Sequence, residues 1–166
     1  MVMDYLDEMK DFTDFDALIQ IKSQKDSVIW SGFDKGPDPV SFRKYIAENV
    51  INNPKNHLFI LKDGETNEAM GYCQFVEEED GIFEGRGSGI LKKFQGCGLA
   101  EIMGKLLLEK ASEYGCKYMY SWCSENNLPS INALVSNGWI KTEINKQYHM
   151  NAINQDHIFY KWEIYL

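Results

Sequence analysis

The sequence predicts a mixed α/β domain in which seven extended runs alternate with four helical patterns. Three observations predict it. Stretches with apolar residues at helical spacing have recognisable ends, short runs rich in aromatic residues are separated by Asp-Gly turns, and the C-terminal Ile158, Tyr160, Trp162 and Ile164 alternate with Phe159, Lys161, Glu163 and Tyr165. At 166 residues, 44% hydrophobic and 25% charged, the chain is ordinary for one globular domain over 1–166. No repeat, low-complexity tract or long linker marks a boundary.

Val2, Met3, Tyr5 and Leu6 suggest a short first strand within Met1 to Phe12. Thr13-Asp14-Phe15-Asp16 resembles a capping box, with Asp16 in place of the usual Glu or Gln, ahead of a first helix carrying Phe15, Leu18, Ile19 and Ile21. Ser31 to Asp38, with Gly32, Gly36 and Pro37, reads as a loop. Asp38-Pro39 opens a second helix whose buried stripe is Phe42, Tyr45, Ile46 and Val50, and Asn52-Asn53-Pro54 ends it. His57 to Leu61 and Ala69 to Val76 read as an antiparallel pair, and Asp80-Gly81 is a hairpin signal leading into Ile82 to Leu91. From about Gly98 to Tyr114, Leu99, Ile102, Met103, Leu106, Leu107, Ala111 and Tyr114 share one helical stripe, which Gly115 ends. Lys117 to Cys123 follows as a strand. Pro129 to Asn137 is then a short helix packing Ile131, Leu134 and Val135, and a closing antiparallel pair runs from Trp139.

Composition excludes several classes. The apolar runs are too short for a transmembrane helix, and Met1 to Lys10 carries three acids rather than the basic start of a secretory signal, so a cytoplasmic protein is expected, away from the membrane. Seventeen Lys and Arg against 25 Asp and Glu give a net charge of −8, a poor match for nucleic acid. Cys73, Cys97, Cys116 and Cys123 have neither Cys-x-x-Cys spacing nor paired histidines, so no metal site is expected. Cys97 reads either as a reactive thiol at a helix N-terminus or as a small residue in a turn.

The stretch from Ile90 to Ala100 has the form strand, glycine loop, helix. Glycines at alternate positions let the backbone approach an anion, and the amides of the next helical turn lack partners. A Walker loop needs Lys and Ser or Thr after its last glycine, but Leu99 and Ala100 follow Gly98. A dinucleotide fingerprint needs a third small residue and an acid near position 118, where Tyr118 stands. What fits is Gln-x-x-Gly-x-Ala, formed by Gln95, Gly98 and Ala100. Here the sequence resembles the acetyl-CoA-dependent N-acetyltransferases of the GNAT superfamily. Asn127-Leu128-Pro129-Ser130-Ile131, followed by Asn137-Gly138-Trp139, is similar to the family's segment after the fifth strand. The resemblance implies a central, twisted, mostly antiparallel sheet of six to seven strands flanked by about four helices.

It also implies acetyl-CoA as cosubstrate, its pyrophosphate held by the loop Gln95, Gly96, Cys97, Gly98, Leu99 and Ala100. Backbone groups of Ile90 and Leu91 would pair with the pantetheine arm as an added strand, with Asn127 and Ser130 alongside. Read without the resemblance, Ser130 caps or faces solvent, and Asn127 merely precedes a helix. Family members that use a glutamate base place it near Glu84, 95 − 84 = 11 residues before Gln95. Glu77, Glu78, Glu79 and Asp80 read instead as a solvated turn, with Glu125 an outside choice for the base. Gly85, Gly87 and Gly89 alternate, which predicts a strand with one bare face against which a thioester and an amine could lie, the acetyl carbonyl polarised by an amide around Ser88 to Ile90. The family's proton-donating tyrosine is missing, since Ala133 and Leu134 occupy its place. Tyr120, Cys123 and Tyr148 are the substitutes at hand, and water or the departing ammonium could supply the thiolate's proton instead.

The expected reaction is acetyl transfer to a primary amine, a small molecule or a peptide, by direct attack in a ternary complex. The acceptor would be chosen by the loop Ser31 to Asp38, the second helix and the last two strands, with Trp30, Phe33, Tyr45, Trp122 and Tyr148 as candidate walls. His57, His149 and His157 read as structural. A homodimer through the C-terminal strands is open. Two other readings are open as well: a non-catalytic acetyl-CoA-binding regulatory domain, and a domain whose glycine strand binds a peptide.

Overall fold

The computed structural model describes residues 2–166 and has one seven-stranded sheet. Strands β1 (Tyr5–Glu8), β2 (Asn56–Lys62), β3 (Ala69–Glu79) and β4 (Ile82–Ile90) pair antiparallel in chain order. Strand β5 (Tyr118–Ser124) lies parallel to β4, and β7 (Gln155–Tyr165) separates it from β6 (Ile140–Met150), both contacts antiparallel. The parallel contact follows from connectivity: helix α4 (Leu99–Glu113) carries the chain back between β4 and β5, whereas a tight turn at Asp80-Gly81 suffices between β3 and β4.

Both faces of the sheet are covered around β2, which is why that strand reads as an unbroken apolar run. Phe59 and Leu61 join Cys73, Phe75, Phe83 and Met119 under Leu99, Met103 and Ala111 of α4. Leu58, Ile60 and Tyr72 point the other way, onto Phe15, Leu18 and Ile21 of α1 (Phe15–Lys22) and Ile46 of α3 (Pro39–Ile46). Helix α5 (Leu128–Ser136) lies beside α4, and the side-chain Nδ2 of Asn137 at its end donates to Glu101 O at 3.1 Å and to Ala133 O at 3.0 Å.

Several local expectations hold. Asp38 caps α3 by accepting from the Ser41 amide at 3.0 Å, with Pro39 in the first turn, and Gly81 turns the β3–β4 hairpin at φ +77°. Others need correction. The single helix expected after Thr13 is two helices, α1 and α2 (Lys25–Ser31), because Gln24 between them is extended and spends its side chain on the end of β4. The capping box does not form: Asp14 gives its carboxylate to Lys62 at 3.0 Å, and the Thr13 amide turns to Asp11. Ile102 and Val135, expected to pack inward, are 44% and 61% exposed, since α4 covers the sheet with a narrower stripe than the sequence suggests and α5, with no buried residue, lies beside α4.

The end of β4 is held closely to β3. A Cβ on Gly71 would stand 2.6 Å from the Gly89 carbonyl oxygen and 2.8 Å from Ile90 Cδ1. Backbone cannot yield there, so Gly71→Ala is expected to cost about 2 kcal/mol and lower the melting temperature by about 4–8 °C. An unchanged midpoint in thermal unfolding would show that the two strands have room to part.

Candidate active site

Strands β4 and β5 stay together only from Ile82–Gly85 against Tyr118–Ser121. Beyond that point β4 follows β3 while β5 follows β7, and the sheet opens. The divergence coincides with a bulge in β4. Ser88 stands opposite Cys73 and Gly85 opposite Phe75, so Arg86 and Gly87 together face Gln74 alone. Gly87 takes φ +55°, a conformation that costs glycine little and bends the strand away.

The bulge also corrects the expectation of one bare strand face. Gly85 shares a face with Phe75, toward Met119 and Ser121, whereas a Cβ on Gly87 or Gly89 would meet Tyr72 on the opposite face. The extra residue reverses the alternation between them. Around it the open sheet forms a cleft of about 1240 Å³, lined by residues of both faces.

Hydrogen-bond parity decides which β4 groups face the gap. Leu91 gives its amide to Met70 O at 2.8 Å, so it faces β3, and its side chain is buried in the core under α1. The expected pairing of Leu91 with a ligand is therefore corrected: its amide is already committed. By alternation from Leu91, the N–H and C=O of Ser88 and Ile90 point away from β3, into the gap.

At the other end of the cleft, Gly98 precedes α4 at φ +81° with no side chain capping the helix, and Gly96 lies at φ +82°. Neither has an atom within 4 Å of where a Cβ would be. Among the described residues, the amides of Gly96, Cys97 and Gly98 meet no backbone or side-chain acceptor. With the first-turn amides of the 15-residue α4 behind them, they form a concave set of donors at a positive dipole end, suited to an anion. Gln95, Gly96, Gly98, Leu99 and Ala100 border the cleft, as do Ile90, Asn127 and Ser130, while Cys97 is exposed outside it.

The side chains depart from the motif in two places. Gln95 turns back from the loop, donating to Ile90 O at 2.9 Å and to Asp26 Oδ2 at 3.2 Å. Gln24 donates to the same carbonyl at 2.9 Å and accepts from the Lys92 amide at 2.7 Å. Asn127 caps α5, its Oδ1 accepting from the Ser130 amide at 3.4 Å.

Glu84 does not border the cleft. Its half-buried carboxylate is paired with Arg86, which does. Nearby, the Tyr120 phenol donates to Glu78, and burial, then that hydrogen bond, holds its pKa well above the usual phenol range. Neither Tyr120 nor Tyr148 borders the cleft, whereas Cys123 does, its thiol pushed up by burial to about 11. Leu134, expected as plain core, is half-buried and borders the cleft. His57 is buried between Glu8 at 3.1 Å and Glu77 at 2.6 Å, and His157 bonds Ser124 at 3.3 Å. Exposed His149 pairs with Asp156 at 2.8 Å. On the α1–α3 side, Trp30, Phe33, Phe42 and Tyr45 wall the cleft together with Lys22, which the sequence did not single out.

An open β4/β5 pair facing an uncapped, glycine-flanked helix is the arrangement of an acyl-coenzyme-dependent transferase. The chain belongs to the acetyltransferase (GNAT) family, whose sequence model matches residues 19–139. Among solved structures it is similar to the Vibrio cholerae spermidine N-acetyltransferase in complex with CoA and spermine, at a TM-score of 0.85 and 12% identity, over 98% of this chain and 95% of that one. It is also similar to yncA, an acetyltransferase of Salmonella typhimurium with its cofactor acetyl-CoA, at 0.74 and 18% over 98% and 94%. A third is the ribosomal-protein-alanine N-acetyltransferase of Brucella melitensis, at 0.77 and 14% over 99% and 100%. No curated protein sequence matches the chain. At these identities the likeness to solved structures is one of fold.

The thiols provide a readout of the loop. Burial raises the pKa of Cys73, Cys116 and Cys123, whereas Cys97 is exposed. One fast-reacting thiol per chain is expected with an alkylating reagent at pH 8, at Cys97, slowed by saturating acetyl-CoA. Mass spectrometry of the labelled protein checks both statements, and a second fast-reacting thiol would show that Cys73, Cys116 or Cys123 is open to solvent.

Proposed function

We propose that the protein is an N-acetyltransferase that moves the acetyl group of acetyl-CoA to a primary amine by direct attack in a ternary complex in the cytoplasm. The observation that carries this reading is the continuity of one cleft from the free amides at Gly96–Gly98 to the inward-facing Ser88 and Ile90 backbone. The loop amides and the first turn of α4 would hold the pyrophosphate. The Ile90 N–H would pair with the pantetheine arm; its carbonyl already accepts from Gln24 and Gln95 and would receive a ligand donor only by displacing one of them. Asn127 and Ser130 border the opposite wall.

Acetyl-CoA supplies an activated acyl group, and this chain orients it and manages protons. The Ser88 amide is the donor placed to polarise the thioester carbonyl. The acceptor enters from the α1–α3 side and loses one proton before its nitrogen attacks the carbonyl carbon. As the C–N bond forms and the C–S bond breaks, the second proton passes from the new ammonium to the leaving sulfur. Cys123, held near 11, is a weaker acid than an ordinary thiol near 8.5 and is a poor donor to that thiolate. The missing phenol at Leu134 is therefore made up by the acceptor itself.

Glu84 remains the base in this proposal, acting through water beside Arg86 because its carboxylate does not border the cleft. Glu84→Gln is expected to lower kcat/KM about 100-fold at pH 7, with partial recovery at higher pH, where more of the amine is already deprotonated. A rate profile that keeps its shape and height would remove Glu84 from the mechanism.

Coenzyme binding is tested separately by thermal unfolding. Acetyl-CoA at about 100 times its Kd should add about 2.7 kcal/mol, well beyond ATP at equal concentration. Stabilisation by acetyl-CoA without turnover of any amine would leave a coenzyme-binding domain, and no stabilisation would reject the cradle.

A further inference from the structure

We propose that the acceptor half of the cleft is built for an amine that also carries a carboxylate and an apolar body, an apolar α-amino acid, with Lys22 anchoring the carboxylate. This rests on the reading of the cleft as an acetyl-transfer site. With the coenzyme assigned to the α4 side, the space on the α1–α3 side is left for the acceptor. Lys22 ends α1, directly after Ile21, whose Cγ2 lies 2.8 Å from where a Cβ on Gly89 would stand. Its ammonium is 3.2 Å from the Tyr72 phenol oxygen and lies over the rings of Tyr72 and Phe42, 4.8 and 5.7 Å from their centroids. The same phenol oxygen is 3.1 Å from the Cβ position of Gly87. The charge therefore stands beside the bulge, on the face from which the amine must approach.

No carboxylate pairs with Lys22 among the described residues. A half-buried ammonium ordinarily finds a counter-charge or extends into water. The nearby acids of the cleft wall are engaged elsewhere. Asp38 accepts from the Ser41 amide and hydroxyl at 3.0 and 2.8 Å, and Asp26 accepts from the Ser27 amide at 2.9 Å and from Gln95 at 3.2 Å. Glu84, just outside the wall, is held by Arg86. Asp34 and Lys35 are exposed neighbours at the rim and offset each other. None of these carboxylates pairs with Lys22, which lines the cleft with the aromatic side chains of Trp30, Phe42 and Tyr45. To that ammonium a polyamine brings like charge and an amino acid brings a carboxylate, so the two acceptor classes are set against each other in the test.

The test is calorimetric titration of the protein saturated with coenzyme A. Phenylalanine and leucine are compared with phenethylamine and isopentylamine, which lack only the carboxylate, and with spermidine. Each amino acid is expected to bind at least about tenfold more tightly than its decarboxylated partner, as a charge-assisted hydrogen bond provides. Lys22→Met should collapse that ratio toward one, and Lys22→Arg, which keeps the charge, should retain most of it. Equal or weaker binding of the amino acids, a ratio that survives Lys22→Met, or spermidine as the tightest ligand would each overturn the proposal. Acetyl-transfer assays with the same five compounds keep the two claims apart. Turnover of the amines without preference for the amino acids overturns this inference alone, whereas no thermal stabilisation by acetyl-CoA rejects the reading of the cleft on which it rests.

Discussion

The cleft depends on one constraint: a strand cannot keep register with two neighbours after one of them acquires an extra residue. At Arg86 and Gly87 strand β4 has two residues opposite the single Gln74 of β3. Its twist increases there, and its contact with β5 ends at Gly85 and Ser121. A continuous sheet would pair the backbone of Ser88 and Ile90 with β5 and leave them no chemistry. Because β5 is held along its whole length by β7, it cannot follow β4 and close the gap. The binding surface is thus made of unused sheet hydrogen-bonding capacity, a form of recognition that is largely indifferent to side chains.

An opened strand end is also a weak point, and the structure secures it from two directions. Gln24 and Gln95 both donate to the Ile90 carbonyl, and Gln24 accepts from Lys92, imitating part of a missing strand with a side chain. The same residue breaks the N-terminal helical segment, so the position of α2 is coupled to the end of β4 and, through Gln95 and Asp26, to the glycine loop. The walls of the acceptor space and the coenzyme loop are therefore parts of one hydrogen-bonded unit.

Most of the scaffold was legible in the sequence because its signals are local. Asp38-Pro39 announces α3 by side-chain capping within three residues, Asp80-Gly81 announces a hairpin, and the stripe of α4 announces a helix of nearly the observed length. The turn into α4 was legible at Gln95 to Ala100 because its backbone geometry depends on two glycines, Gly96 and Gly98, only two residues apart. What was not legible depends on partners far away. Gln24 has no local mark of a helix break, since the carbonyl that claims it is 66 residues on. The glycines of β4 looked like a smooth alternation, and only pairing with β3 reveals the extra residue that puts Gly85 on the opposite face. Leu134 looked like core because a leucine bordering a cleft and one under a sheet have the same local pattern.

Charge makes the same point at a larger scale. A net charge of −8 suggests a protein that draws in cations, yet bulk charge governs approach rather than recognition. Recognition inside a cleft is set by the charges that are desolvated and uncommitted there. The acids nearest the acceptor space cap a helix, hold a loop or pair with arginine, which fixes their carboxylates in place without pairing them with Lys22. Lys22 has aromatic rings and a phenol about it, which solvate a cation without neutralising it. An acidic protein can in this way hold an ammonium without a carboxylate partner inside its cleft, and that feature follows from the pairing of individual side chains rather than from composition.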